Sequence, residues 1–454
     1  MTSREVRDAV HGLIELRPRE WDLVDTRAFQ RLRRVKQLAM TDLVYPGARH
    51  SRFEHCVGAA HMAGRTGDSV NAHAGGEPID VERLRAAALL HDVGHGPFSH
   101  VSEMVFEKRT GRRKIHESIS AAVIRHDAEV RQVLGDADAE WIADLLTGSG
   151  HGSTRSVERD VVAGPADIDK LDYLLRDSHY CGVNYGRYDK DKLIESARLQ
   201  PDVGGGSKLA FHTDGIYALE EMLLARYHMH RQVYGHKTRV ATDIMLVRAM
   251  DFGVDEELLP EPVFAPPEEP DAAYVAEYLR FDDEAVIRAL TAHPDSRSGE
   301  IMQALVDRKL MKRVGRMDFA ELDYRLGREM AGFIVDPDEA ALDALPQIED
   351  TIASTIGVPA HWVAVFHDRL SNPVLRPYTA RIEGDDIVLV GDDGRVHVFH
   401  DASEVFTRGE GEQRRSVSLY VRPPDDDRGR LDDHVVAQAF LDGLATLGEI
   451  ARQI

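Results

Sequence analysis

Apolar residues recur at intervals of three and four along most of the first 250 positions, the period of helices that bury one face. The pattern predicts helices over Thr26–Leu38, His55–Val70, Val81–Leu90, His116–Ile124, Trp141–Leu146, Asp167–Asp177 and Gly215–Ala249, with a shorter turn from Asp191 to Ser196. Ala197–Gln200 and Lys208–His212, separated by the Gly-rich stretch Pro201–Ser207, read as a small hairpin. Leu258–Pro270 is rich in Pro and Glu and reads as an extended connection, after which helices are expected from Ala272 to about Met317. Further on, the period changes to alternation. Ile387–Val390 and Arg395–Phe399, joined by Gly391-Asp-Asp-Gly394, predict two strands and a turn, and Ser416–Val421 a third strand. Pro423–Arg430 reads as a charged loop and Val435–Ile450 as a closing helix. The expected fold class is mainly α: a helical core over 1–255, a helical extension over 256–330 and a smaller α+β module over 331–454.

With 454 residues, 43% of them hydrophobic, the chain can bury a substantial core in two or three domains. Its two cysteines, Cys56 and Cys181, supply no disulfide framework, which suits a reducing cytoplasm. No stretch approaches the roughly 18 to 20 apolar residues of a membrane span, and the opening residues lack the apolar centre of a signal peptide. A soluble cytoplasmic protein is therefore expected, without a membrane partner. The formal net charge of −22 disfavours a general nucleic-acid surface, because binding a polyanion needs clustered Lys and Arg. It leaves room for a local basic pocket that takes a small anion.

The dipeptide His-Asp occurs four times, as His91-Asp92, His126-Asp127, His367-Asp368 and His400-Asp401, so context has to separate them. Only the first follows an Ala- and Leu-rich helix and precedes Val93-Gly-His-Gly-Pro-Phe-Ser-His100, where Gly94, Gly96 and Pro97 break the helix. His126-Asp127 and His400-Asp401 read as ordinary surface or helix-end residues. His55, His91, Asp92 and Asp169 together form a candidate metal shell. Two imidazoles and two carboxylates suit Fe, Mn, Zn, Ni or Co better than Ca, with positions left for water and a substrate oxygen.

These four residues resemble the dispersed metal signature of the HD-domain phosphohydrolases. Longer strings narrow the match: Val10-His-Gly-Leu-Ile-Glu-Leu16, Phe29-Gln-Arg-Leu-Arg33, Val35-Lys-Gln-Leu38, Tyr45-Pro-Gly-Ala48, Ser51-Arg-Phe-Glu-His55, His91 to His100 and Asp169-Lys-Leu-Asp-Tyr173. In this order, over about residues 4 to 315, they are similar to the deoxynucleoside-triphosphate triphosphohydrolases. The resemblance implies an HD-domain helical core, a divalent transition metal, Mg accompanying the triphosphate, and cleavage of a dNTP to deoxynucleoside and inorganic triphosphate. It places His95, His100 and His116 around the α-phosphate. His95 and His116 are candidates for protonating the leaving 5′ oxygen, His100 for orienting water or phosphate, and Glu103 and Glu117 for orienting the imidazoles. Which histidine is the acid stays open.

The same resemblance assigns Arg52, Lys170 and Arg226 to the phosphates, and Tyr173 and Asp177, on one helix face, to the sugar. Gln37 falls to the 3′ hydroxyl, Leu38 to the space of a 2′ hydroxyl, and His230, Tyr234 and His236 to the vicinity of the nucleotide. Asp25, Gln30 and Arg33 match positions that hold an activating guanine nucleotide at an assembly interface, with Arg4 and Arg308 near other regulatory contacts. Arg7 departs from an Asn of the family at that place. A homo-oligomer, dimer or tetramer, with a nucleotide activator is thus implied. Two alternatives stand beside this reading. One is an HD phosphohydrolase acting on an NTP, a nucleotide monophosphate or a signalling nucleotide. The other is a nucleotide-binding regulatory protein with a vestigial centre, against which the complete ligand set and the neighbouring histidines argue.

Overall fold

Helix starts fall where side chains can cap them. In the computed structural model, which describes residues 4–73, 78–148, 156–202, 205–368, 387–406, 415–422 and 431–453, Ser51 and Glu54 form a capping box that opens the helix Arg52–Ala72. Asp80 and Asp167 accept the N–H groups of Arg83 and Lys170 and open the helices Val81–Leu90 and Ile168–Cys181. The fold is mainly helical, with small sheets. None of the described helices is long and apolar enough to cross a membrane.

The chain forms two compact units. The first comprises residues 1–229, 254–290 and 377–409; the second comprises 230–253, 291–376 and 410–454. In the first, the helix Arg52–Ala72 packs against Val81–Leu90 and Ile168–Cys181. Small residues make close approach possible: a Cβ at Gly58 would collide with the Asp172 carboxylate and the Arg176 guanidinium, and one at Gly94 with backbone of the helix Ile115–His126. A four-stranded sheet runs in the order Ala197–Pro201, Ser207–His212, Val388–Val390 and Val396–Val398, with the middle pair parallel. The second unit places Ser416–Val421 between Lys312–Asp318 and Val363–Asp368. Helices that include Leu345–Ile356 and Asp433–Gln453 close its core of Leu322, Ile334, Ile352, Leu419, Phe440 and Leu444.

Several elements differ from expectation for identifiable reasons. Thr26–Leu38 is not one helix: it comprises Arg27–Arg31, then a tighter turn over Leu32–Arg34, after which Val35 turns extended. Tertiary pairing wins there, since Lys36 bridges to Ser51, the Arg52 N–H donates to the Val35 carbonyl, and the Gln37 N–H donates to that of His50. Gly215–Ala249 divides into Ile216–Met229, a π-helical turn His230–Tyr234, and Lys237–Asp255. The stretch up to Met317 holds the helices Ala272–Tyr278, Asp283–Thr291 and Arg297–Val306 and then the strand Lys312–Asp318, which is drawn into the sheet by its partner about a hundred residues later. Leu258–Pro270 contains a helical turn, Glu261–Phe264, with Pro262 in its first turn, where proline is tolerated. An unforeseen antiparallel hairpin pairs Arg4–Asp8 with Gly12–Leu16. The charged loop Pro423–Arg430 and residues 203–204 of the hairpin connection lie outside the described residues.

Candidate metal centre and active site

Three elements bring His55, His91, Asp92 and Asp169 together. His55 lies in the first turns of the helix Arg52–Ala72, His91 ends Val81–Leu90, and Asp169 sits in the first turn of Ile168–Cys181. One candidate ligand atom from each lies within 4.8 Å of all the others. His55 Nε2 is 3.0 Å from Asp169 Oδ1 and 3.4 Å from Asp92 Oδ2, and His91 Nε2 is 3.4 Å from Asp92 Oδ1.

The tautomers suit a cation. His91 Nδ1–H donates to the Ala88 carbonyl at 2.7 Å, and His55 Nδ1–H donates to Asp172 Oδ2 at 2.8 Å. Both Nε2 atoms are buried and point at the two carboxylates, where a cation could take the place of their protons. Burial opposes charge on His55, but its hydrogen bonds to Asp169 and Asp172 outweigh that and raise its pKa to about 10. Burial also penalises the Asp92 carboxylate, yet Arg52, His91 and His95 hold it well below the usual range; hydrogen bonds from His55 and His91 do the same for Asp169. A field that retains protons on imidazoles is one that a divalent cation would enter. The donor set therefore fits a divalent metal.

A second group of imidazoles adjoins this centre. His95 Nε2 lies 3.3 Å from Asp92 Oδ1, and its ring stacks on His116 with centroids 4.2 Å apart and planes 12° off parallel. Burial, the Arg52 guanidinium and His116 hold His95 well below the ordinary imidazole pKa, so it is neutral at pH 7. Glu103 spans the other two, accepting from His116 Nδ1 at 2.5 Å and from His100 Nδ1 at 3.2 Å. Burial opposes its charge, but those two bonds keep it ionised far below the usual range. His100 is 65% exposed, at the start of the helix His100–Thr110. Glu117 does not join this set: it pairs with Lys114 at 2.9 Å, because the first turn of the helix Ile115–His126 carries it away from the imidazoles.

The cations and sugar residues of the first unit sit as follows. Arg52 is buried, donates from Nε to Ser99 Oγ at 2.8 Å, pairs through Nη1 with Asp92, and leaves Nη2 without a hydrogen bond. Lys170 donates to the Gly164 carbonyl at 3.0 Å and pairs with Asp167. Burial raises the Tyr173 pKa while the charge of Arg226 opposes it, which places the two in one electrostatic environment. Asp177 accepts from His50 Nε2 at 2.7 Å. Gln37 and Leu38 are buried, and Gln37 Oε1 has no hydrogen-bond partner. His230, Tyr234 and His236 belong to the second unit, where the first two rings meet edge-on with centroids 5.0 Å apart and His236 Nδ1 accepts the Thr238 N–H.

The regulatory candidates are separately placed. Arg4 lies 4.5 Å over the Trp21 ring, Gln30 accepts from Arg33 Nε at 2.9 Å, Arg33 lies 3.5 Å over Phe53, and Asp25 ends the helix Pro18–Val24. Arg308, in the second unit, takes a left-handed φ of 57° just beyond the helix Arg297–Val306. Asp172, His50, Ser99 and His11, all partners of site residues, were not among the expected site residues; Asp172, Ser99 and His11 stood inside quoted strings without an assigned role, and His50 carried no local signal.

Residues 52–177 match the family model of the HD domain, and residues 188–389 that of the HD associated region. The chain thus carries an HD domain followed by an HD associated region. A phosphohydrolase of Bacteroides thetaiotaomicron has the same fold, with a TM-score of 0.70 at 24% identity over 92% of this chain and 100% of that one. An uncharacterized protein of Bacillus subtilis is 35% identical over 54% of each chain. The Dictyostelium discoideum protein named deoxynucleoside triphosphate triphosphohydrolase SAMHD1 homolog is 34% identical over 55% of this chain and 49% of its own length. The matches span about half the length of these curated relatives.

Proposed function

We propose that the protein is a metal-dependent deoxynucleoside triphosphate triphosphohydrolase. Water adds at the α-phosphorus, the bond to the 5′ oxygen breaks, and that oxygen leaves protonated as deoxynucleoside together with inorganic triphosphate. The observation that carries the reading is the convergence of the buried Nε2 atoms of His55 and His91 on Asp92 and Asp169, with Asp92 also beside His95 of the His95–His116 stack. The similarity to a relative named for this activity supports the substrate class.

A divalent metal held by His55, His91, Asp92 and Asp169 acidifies water and polarises a phosphoryl oxygen when bound. His116, oriented through Nδ1 by Glu103, is the proton donor to the leaving 5′ oxygen. Neutral His95 serves as a hydrogen-bond partner of the α-phosphate, and His100, anchored on the same Glu103, orients water or phosphate. Arg52 Nη2, Lys170 and Arg226 neutralise the triphosphate. Tyr173, Asp177 and Gln37 receive the sugar, and Leu38 fills the space of a 2′ hydroxyl.

The reading extends to a catalytic core within residues 1–255, a homo-oligomer with a nucleotide activator, and action in the cytoplasm, consistent with Cys56 and Cys181 both lying buried outside any disulfide. Incubation with each dNTP and NTP in the presence of Mn, Fe, Co, Ni, Zn or Mg, with products separated by chromatography, tests it. Triphosphate and deoxynucleoside are expected, and Asp169→Ala should abolish turnover. Release of orthophosphate, or a preference for ribonucleotides, would overturn the assignment.

A further inference from the structure

Behind the metal centre lies a buried chain of hydrogen bonds that begins in the N-terminal hairpin. Asp8 accepts the N–H groups of Val10 and His11, both at 2.8 Å, and so shapes the turn between the strands Arg4–Asp8 and Gly12–Leu16. That turn puts the His11 ring, whose side chain is fully buried, 2.7 Å from Asp172 Oδ1. Asp172 accepts four bonds: His11 Nε2 and Arg176 Nη2 on Oδ1, and His55 Nδ1 and Arg176 Nε on Oδ2, the latter three at 2.8 Å. A carboxylate offers about four lone-pair sites, so this one is filled and cannot rotate without breaking a bond. Arg176 is in turn held through Nη1 by Asp8 at 2.8 Å, which closes a ring from the hairpin back to itself.

The direction of each proton is fixed by its neighbours. Lys190 Nζ, which can only donate, lies 3.3 Å from His11 Nδ1. His11 Nδ1 is then the acceptor, and Nε2 carries the proton given to Asp172. Asp172, acceptor-only, requires a proton of His55 to sit on Nδ1, which turns His55 Nε2 toward Asp92 and Asp169. Gly58 belongs to the arrangement, since a side chain there would displace both Asp172 and Arg176.

We infer that His11 and Asp172 are positioning residues for the metal ligand His55, and that the N-terminal hairpin is thereby part of the metal centre. The inference rests on reading His55, His91, Asp92 and Asp169 as metal ligands. It is independent of which nucleotide is hydrolysed.

Metal-free full-length protein is titrated with Mn²⁺ by calorimetry, and Tm is recorded with and without Mn²⁺. Partners that orient a ligating histidine are typically worth about 10–100-fold in metal affinity. Asp172→Asn should fall in that range. His11→Phe should lose about tenfold, since Arg176 still grips the carboxylate, and His11→Gln, whose amide can donate from nearly the same place, should recover most of it. The increment that Mn²⁺ adds to Tm should shrink in the same order, whereas a merely structural role would lower Tm with and without metal alike. If His11→Phe does not fold, Lys190→Met decides the matter, with weaker Mn²⁺ binding and a reduced increment expected. A folded His11→Phe, or failing that Lys190→Met, that binds Mn²⁺ as the wild type does would overturn the inference while leaving the centre intact. A wild type that binds no Mn²⁺, or binds it equally after Asp169→Ala, would overturn the metal centre itself.

Discussion

The buried imidazole of His50 donates to Asp177 at 2.7 Å, stacks on Tyr180 with centroids 4.6 Å apart, and offers its backbone carbonyl to the Gln37 N–H. In the proposed reaction Asp177 and Gln37 receive the sugar 3′ hydroxyl, so His50 sets the geometry of that acceptor pair. A site that hydrogen-bonds a hydroxyl discriminates against a substrate lacking it, because its own buried groups are then left unpaired. His50→Gln should therefore raise KM more than it lowers kcat, and reduce the preference for a dNTP over its 2′,3′-dideoxy analogue by about tenfold. An unchanged preference in a folded variant would remove His50 from substrate selection. The cluster of His55, His91, Asp92 and Asp169 could be read from the sequence as a set, through the strings around them and not through their spacing. Asp172 could not: in Asp169-Lys-Leu-Asp-Tyr173 two aspartates stand about one turn apart, and only the space left by Gly58 and the charge of Arg176 turn the second one inward. His11 and His50 were equally hidden, because a buried pair across a hundred or more residues leaves no periodic trace.

Helices were the most legible elements: the capped, largely buried Val81–Leu90 stands as the pattern predicts, and Ile168–Cys181 starts where expected after its Asp167 cap but runs on past Asp177. What escaped was decided by distant partners: the strand Lys312–Asp318, the N-terminal hairpin, and the early end of the helix after Thr26. The turn that follows Asp92 shows the same dependence. Phe98 and Ser99 take left-handed φ values of 60° and 57°, which need outside support in non-glycine residues. A strap over Tyr278–Asp283 supplies it. Tyr278 Oη donates to the Gly94 carbonyl at 2.7 Å, and Arg31 joins the carbonyls of His95 and Phe281. Asp283 accepts the N–H groups of Phe98 at 2.6 Å and Lys36 at 3.0 Å. Burial raises Asp283 to about 7 despite those two bonds. The folded protein thus holds this proton more tightly than the unfolded chain, so the linked stability is full below about pH 4 and is lost as pH rises to about 7. At about 1.4 kcal/mol per pK unit the loss is at most about 4 kcal/mol. Asp283→Asn has no such proton, and its Tm relative to wild type should improve steadily between pH 4 and pH 8. A difference in Tm that stays constant across that range would show that Asp283 does not titrate with folding.

At the scale of the whole molecule, a net charge of −22 would meet a proposed substrate that is itself strongly anionic, so its binding would depend on the few cations gathered at the site. The proposed activator would act at that level. Asp25 lines an open cavity of about 560 Å³ with Arg19, Asp22, Thr26 and Glu129, whose carboxylates suit the N–H donors of a guanine edge. Gln30 donates to the Val24 carbonyl at 2.8 Å and accepts from Arg33, and Arg33 covers Phe53, the residue after Arg52 and two before His55. A nucleotide that engages Asp25, Gln30 and Arg33 would press on the first turn of the helix that carries both a phosphate-binding cation and a metal ligand. Coupling between two ligands typically amounts to about 5–150-fold and requires a differential contact, which this stack would have to provide. GTP or dGTP should accordingly raise the hydrolysis of a second dNTP at least about fivefold and increase the mass measured by light scattering. Arg33→Ala, which removes the cation from Phe53 and from Gln30, should abolish both effects. If neither nucleotide alters mass or rate in the wild type, the Asp25–Arg33 segment is a packing element, and the regulated assembly falls while the metal centre stands.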